Sequence, residues 1–276
     1  MTIKYIRDAK LEYTEDISNG LVTYNKMFTG ETRYESMNVY VLENDKLVGG
    51  CHTGLGWNWV FIGELFYENQ EVLSLIMNEL YKIYKGNVEG ITIENYSSDR
   101  IEDFKQQGFD VQGVLKDMPI GFDTHVMCNK EMIGRRFKHA YVIEAMGEKH
   151  EDYTRIVDEQ VEAYNKKHKI DDRKIDIQYV ALDQEKIVGG VSGCLAQDYL
   201  YVSRLWVDEA YRGKDIASNL MDHIENEANE KGYRNCYLGT STFQAKGLYE
   251  KRGYEVKMVI PNCPKGYEDF VMVKGI

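Results

Sequence analysis

The sequence predicts an α+β protein built as two tandem units. Three observations predict it: short stretches that recur at a near-constant spacing, strand and helix patterning that repeats in the same order, and an ordinary globular composition. Of 276 residues, 43% are hydrophobic and 29% charged, as in soluble folded domains. That length allows one or two domains at roughly 100–200 residues each.

A fixed period decides the architecture. Asp45-Lys-Leu-Val-Gly-Gly50 returns as Glu185-Lys-Ile-Val-Gly-Gly190, and Glu64-Leu-Phe-Tyr-Glu68 as Arg204-Leu-Trp-Val-Asp208, both at an offset of 140. Gln107-Gly-Phe109 then matches Arg252-Gly-Tyr254, and Pro119-Ile-Gly-Phe122 matches Pro264-Lys-Gly-Tyr267, both at 145. Four matches in one order are hard to obtain by chance.

Each unit opens with a strand and a helix, at 2–7 and 9–28 in the first copy and at 139–145 and 148–168 in the second. A hairpin follows. Asn38 to Glu43 and Asp176 to Leu182 read as strands, and Asn44-Asp45 and Asp183-Gln184 supply turn residues before the Val-Gly-Gly strand. A third strand is expected at about 58–66 and 199–207. The next helix carries its apolar face on Val72, Leu75, Ile76, Leu80 and Ile83 in one copy, and on Ile216, Leu220, Ile224 and Ala228 in the other. A strand (88–94; 234–239), a short helix (98–106; 243–251) and two last strands complete the unit. Each half is therefore expected to be a complete domain, 1–134 and 135–276, with the boundary near Lys130–Lys138, where Arg135, Arg136 and Lys138 interrupt the apolar pattern.

The net charge of −11 argues against a nucleic-acid partner, which needs basic patches to replace counterions. It suits a cationic substrate and equally an ordinary acidic protein. The five cysteines are widely spaced without a C-x-x-C, so reduced thiols are expected, Cys194 and Cys236 as buried hydrophobes. The six histidines show no metal-ligand spacing. The first residues lack a signal-peptide core, and no apolar run approaches the roughly 20 residues of a membrane span. A cytoplasmic protein is expected.

The chemistry concentrates in Leu205-Trp-Val-Asp-Glu-Ala-Tyr-Arg-Gly-Lys-Asp-Ile-Ala-Ser-Asn-Leu220. An apolar strand runs into a polar loop and then opens a helix at about Asp215, the layout of an anion site. Gly213, Ala217 and Ser218 are small enough for phosphate to approach the backbone, and Arg212 adds charge. The segment resembles the pyrophosphate-wrapping motif of the GNAT N-acetyltransferases, commonly R/Q-x-x-G-x-G/A. Arg212 stands first and Ala217 last, while Asp215 replaces the usual glycine. Asp adopts left-handed backbone less freely than Gly, though as an N-cap it suits a helix start. Phe243-Gln-Ala-Lys-Gly-Leu-Tyr-Glu-Lys-Arg-Gly-Tyr254 resembles the family's later motif.

The resemblance covers 139–276 and extends to 1–130 through the repeat. It implies GNAT-like domains with a mixed, mostly antiparallel central sheet flanked by helices. It implies acetyl-CoA as cosubstrate, held by Leu205, Trp206, Val207, Arg212, Gly213, Lys214, Asp215, Ile216, Ala217 and Ser218. Tyr249 would protonate the leaving thiolate, a backbone N–H at the end of 205–207 would meet the oxyanion, and an amine of a small molecule or peptide would attack directly in a ternary complex. A phenol, with a reference pKa of about 10, keeps its proton at neutral pH. For the general base, Asp198, Asp208, Glu209 and a water chain all stay open.

The first copy lacks these signatures. Phe66-Tyr-Glu-Asn-Gln-Glu-Val-Leu-Ser-Leu75 has neither Gly nor a basic residue, and Phe104 stands where Tyr249 is expected. The first unit is thus read as degenerate, completing the pocket or pairing with the second in a pseudo-dimer within a monomer. Trp57-Asn-Trp59-Val-Phe61 either reaches a ligand or fills a core. The alternatives to transfer are a CoA-binding sensor without turnover and a scaffold that binds none.

Overall fold

The computed structural model describes residues 3–30, 34–96, 98–118, 121–130, 141–147, 150–168, 170 and 173–276. The expected boundary at 134/135, with Arg135, Arg136 and Lys138, lies outside them, as do Pro119 of the repeat and the starts of the strand at 139 and the helix at 148.

The first half runs β1 (Ile3–Arg7), α1 (Thr14–Thr29), β2 (Tyr34–Glu43), β3 (Lys46–Gly56), β4 (Trp59–Tyr67), α2 (Gln70–Tyr84), β5 (Gly90–Asn95), α3 (Ile101–Gln106), β6 (Asp110–Leu115) and β7 (Thr124–Asn129). The second runs β8 (Val142–Met146), α4 (Glu151–Lys167), β9 (Lys174–Asp183), β10 (Lys186–Ala196), β11 (Tyr199–Val207), α5 (Ile216–Glu230), β12 (Asn235–Ser241), α6 (Lys246–Lys251), β13 (Glu255–Pro261) and β14 (Glu268–Gly275). The β2–β3 hairpin turns on Asn44 (φ 50°) and Asp45 (φ 62°). Positive φ at both central residues matches the right-handed twist of the flanking strands, and Asn and Asp tolerate it.

Two seven-stranded sheets result, ordered β6-β7-β5-β4-β3-β2-β8 and β13-β14-β12-β11-β10-β9-β1. The orders are equivalent strand for strand. All pairs are antiparallel except β4–β5 and β11–β12. The mixed, mostly antiparallel sheet flanked by helices is as the sequence predicts.

The expectation that each half is complete in itself is corrected here. β1 pairs with β9, Ile3 against Asp183 through Arg7 against Tyr179, and so joins the sheet of the second half. Reciprocally, β8 pairs with β2 of the first half, Asn38 against Met146 through Leu42 against Val142. The helices follow their strands: α1 lies on β10 and β11, and α4 on β3 and β4. The two copies exchange their opening strand and helix. Because the copies are alike, a five-residue edge strand carries no pattern that says which hairpin it joins.

The repeated Val-Gly-Gly motif is what lets helices close on both faces of each sheet. A Cβ on Gly189 would stand 3.3 Å from Ile216 of α5, and one on Gly190 only 2.5 Å from Ile17 of α1. In the other sheet, a Cβ on Gly49 would meet Val72 of α2 at 2.3 Å, and one on Gly50 would meet Val157 of α4 at 2.8 Å. Neither glycine pair has room for a methyl group without displacing a buried side chain.

The sheets meet through an apolar layer that includes Trp59, Leu115 and Val126 from one and Tyr199, Met258 and Val271 from the other. The Trp59 indole N–H and the Asn58 amide both donate to the Asn262 carbonyl across this junction, at 3.3 and 2.9 Å. Of the aromatic hairpin, Trp59 is core, while Trp57 lines a cavity and Phe61 stays 37% exposed.

Candidate active site

The parallel pair β11–β12 is bonded from Tyr199/Asn235 to Val202/Leu238, and pairing stops there. Along its other edge β11 continues on β10 to Val207, with Ser203 as the extra residue of a bulge against Ser192/Gly193. The bulge bends β11 away from β12, leaving the inner edge of 203–207 without a strand partner among the described residues. A cavity of about 420 Å3 opens in the gap.

Its floor is Val202 to Val207 and Gly239-Thr240, with Arg212, Ala217, Tyr249 and Asp269 on the walls. Leu21, Tyr24 and Asn25 of α1 close one side, and Tyr34 and Trp57 add rings from the first half. Two hydrogen bonds clamp α1 over the cavity: Tyr24 Oη donates to the Phe243 carbonyl at 2.8 Å, and Gln244 Nε2 donates to Asn25 Oδ1 at 2.8 Å. Gly20 is packed so closely on Trp206 that a Cβ would lie 2.2 Å from the indole.

The predicted residues divide in three. Leu205, Trp206, Val207, Arg212, Ala217 and Tyr249 line the cavity together. Gly213, Lys214, Asp215 and Ser218 belong to the adjoining loop and helix start. Ile216 turns its side chain into the core at 1% exposure, so its backbone N–H is what it can offer. Arg212 is held by Nε donating to the Val207 carbonyl at 3.1 Å, with its guanidinium over the Tyr24 ring.

Gly213 (φ 70°) and Asp215 (φ 57°) both take left-handed backbone, and alternation of this kind turns successive N–H groups to one side. Asp215 heads α5 without any side-chain cap bond, so the first N–H groups of that helix are not consumed by its carboxylate. The first copy differs at this point. Asn69 heads α2 with its side-chain oxygen accepting from the N–H groups of Glu71 and Val72, at 3.0 and 3.1 Å. There the helix start is already occupied by the protein's own acceptor.

Tyr249 is 5% exposed on α6, packed edge-on against Tyr254. Burial, and then the nearby Cys236, push its pKa upward. The phenol holds its proton at neutral pH. Arg252 fixes α6 against α5 by donating to the Ser218 carbonyl, Asp222 and Glu225, and Glu225 also takes Lys274 and the Tyr254 hydroxyl.

Asp269 on β14 is the functional candidate that sequence reasoning missed. It accepts from Ser241 Oγ at 3.0 Å, and burial raises its pKa to about 6. Of the carboxylates predicted as possible bases, Asp208 caps the turn at Ala210, pairs with Lys186, and has its pKa lowered by these bonds. Neither Asp208, Glu209 nor Asp198 lines the cavity.

A family model described as "Acetyltransferase (GNAT) domain" matches residues 175–256. The chain is 33% identical over 99 residues to a blasticidin-S acetyltransferase of Streptomyces morookaense, covering 36% of this chain and 73% of that relative. The chain belongs to the GNAT acetyltransferases. A second relative, an acetyltransferase of Agrobacterium fabrum, is 38% identical over 72 residues, covering 26% of this GNAT chain and 53% of its own. A crystal structure of an acetyltransferase from Bacillus cereus aligns with a TM-score of 0.44 and 30% identity, over 48% of this chain and 96% of that one. No helix among the described residues is long and apolar enough to cross a membrane.

Proposed function

We propose that the chain transfers the acetyl group of acetyl-CoA to an amine, by direct attack in a ternary complex, at the cavity between β11 and β12. The observation that carries this reading is the convergence on one cavity of an unpaired strand edge, Arg212 beside an uncapped helix start, a protonated phenol and a carboxylate of raised pKa. The geometry fits a pyrophosphate-bearing cosubstrate: the N–H groups at the start of α5, the turned backbone at Gly213 and Asp215, and the Arg212 charge form a site for phosphate oxygens. Ala217 leaves space for them.

The roles follow from position. Tyr249 donates its proton to the departing thiolate. An N–H on the free edge of Leu205–Val207 meets the oxyanion as it develops. Asp269 takes the proton of the attacking ammonium, a task for which a pKa near neutrality is suited. The first unit is a degenerate copy in this reading. Asn69 has closed its helix start, Phe104 replaces the acid, and the equivalent cavity has shrunk to about 150 Å3. Its remaining contribution is α1, Tyr34 and Trp57 as walls of the neighbouring site.

The test is acetyl transfer from acetyl-CoA to a panel of primary amines, followed by thiol release. Turnover of at least one amine is expected, with Tyr249→Phe lowering kcat by about 10²–10³-fold, the scale of a lost general acid. Tyr249→Phe with unchanged kcat removes Tyr249 from its role, and no turnover of any amine contradicts the transfer reading.

A further inference from the structure

A second cavity, of about 350 Å3, lies where the two sheets meet. Asp269 and Gly239 belong to both this cavity and the reaction cavity. The inner space is therefore an extension of the site, reached past the proposed base. Its far end belongs to the first half, at Ile93, Glu94 and Tyr96 of β5 and the turn after it.

Glu94 is the unusual residue there. It sits in a central strand, between β4 and β7, yet its side chain retains accessible surface. Glu94 is exposed, and it lines both this space and the smaller cavity of the first unit, with the surrounding protein raising its pKa by burial. No hydrogen bond or ion pair satisfies its carboxylate among the described residues. A counter-charge bound beside it would favour its ionised form. Around it stand phenol rings from both halves. Tyr201 stacks on Tyr237 at 4.8 Å, Tyr199 meets Tyr237 edge-on at 5.2 Å, and Tyr96 lies beside Tyr199. A carboxylate among aromatic faces is the chemistry that holds an organic cation.

We propose that Glu94 and these tyrosines form a subsite for a second cationic group of the acceptor, so that the substrate is an amine carrying another ammonium several bonds from its reacting nitrogen. The proposal rests on the transfer reading for which end reacts. The reacting amine lies at Asp269 and the distal ammonium at Glu94, each end of the molecule facing a carboxylate from a different half of the chain. This assigns the first unit a recognition role that its lost cosubstrate signatures do not show.

The test is calorimetric titration of the whole protein with 1,5-diaminopentane and with pentylamine, for wild type and Glu94→Gln, an isosteric change. The diamine is expected to bind wild type at least ten-fold more tightly than the monoamine. Glu94→Gln is expected to remove that advantage and to leave pentylamine affinity unchanged. Equal affinities in wild type, no diamine binding, or an advantage that survives Glu94→Gln would each overturn the subsite. Acetylation of the same amines is read in parallel. Diamine binding that depends on Glu94 without acetylation sinks the transfer reading and keeps the subsite, whereas acetylation without diamine preference does the reverse.

Discussion

At the scale of single residues, the proposed proton transfers fall to a buried phenol on α6 and a carboxylate on β14. Tyr249 announces itself by its spacing from Gly253-Tyr254. Asp269 is one aspartate in a strand, and nothing in its neighbours marks it. Its pKa is raised by burial and partly drawn back by the Ser241 hydrogen bond, and only the closing of β12 on β14 provides both. Its raised pKa gives a signed prediction. The base must be ionised to accept a proton, so kcat/KM should rise as pH passes upward through about 6. Asp269→Asn should lower the rate by about 10²-fold or more and abolish that limb of the profile. A pH–rate series on both proteins checks it, and an unchanged limb assigns the titration elsewhere. Asp215, the departure from the family pattern, also acquires a physical reading. It accepts the left-handed backbone that glycine would take, and its carboxylate does not cap the helix it begins.

At the scale of elements, the hairpins, the amphipathic helices and the Gly-Gly pairs were readable because period and turn chemistry are local. The reason for the glycines was not. Gly190 needs its missing side chain because Ile17, far away in sequence, occupies that volume. Gly190→Ala should cost about 1–3 kcal/mol of stability, the usual range for overpacking a filled core. A denaturant melt would show it as a lowered midpoint with an unchanged slope. An unaltered midpoint would mean that α1 does not press on β10. The wall of the reaction cavity was hidden for the same reason. Tyr24 and Asn25 fall on a helix that the pattern finds, but its partner sheet belongs to the other copy, and no periodicity names a partner.

At the scale of the whole molecule, two similar units exchange their first strand and helix and meet through a shared apolar layer. The exchange ties each sheet to both halves of the chain. It also places α1 of the first half against the reaction cavity, which Tyr34 and Trp57 join from outside the exchanged elements. Family membership establishes an acetyltransferase; fold alone does not name an acceptor. The asymmetry between the units is tested most directly by calorimetric titration of acetyl-CoA into the intact protein. One site per chain is predicted, weakened about ten-fold or more by Arg212→Ala and little changed by Tyr249→Phe. Two equivalent sites per chain, or none, would contradict it.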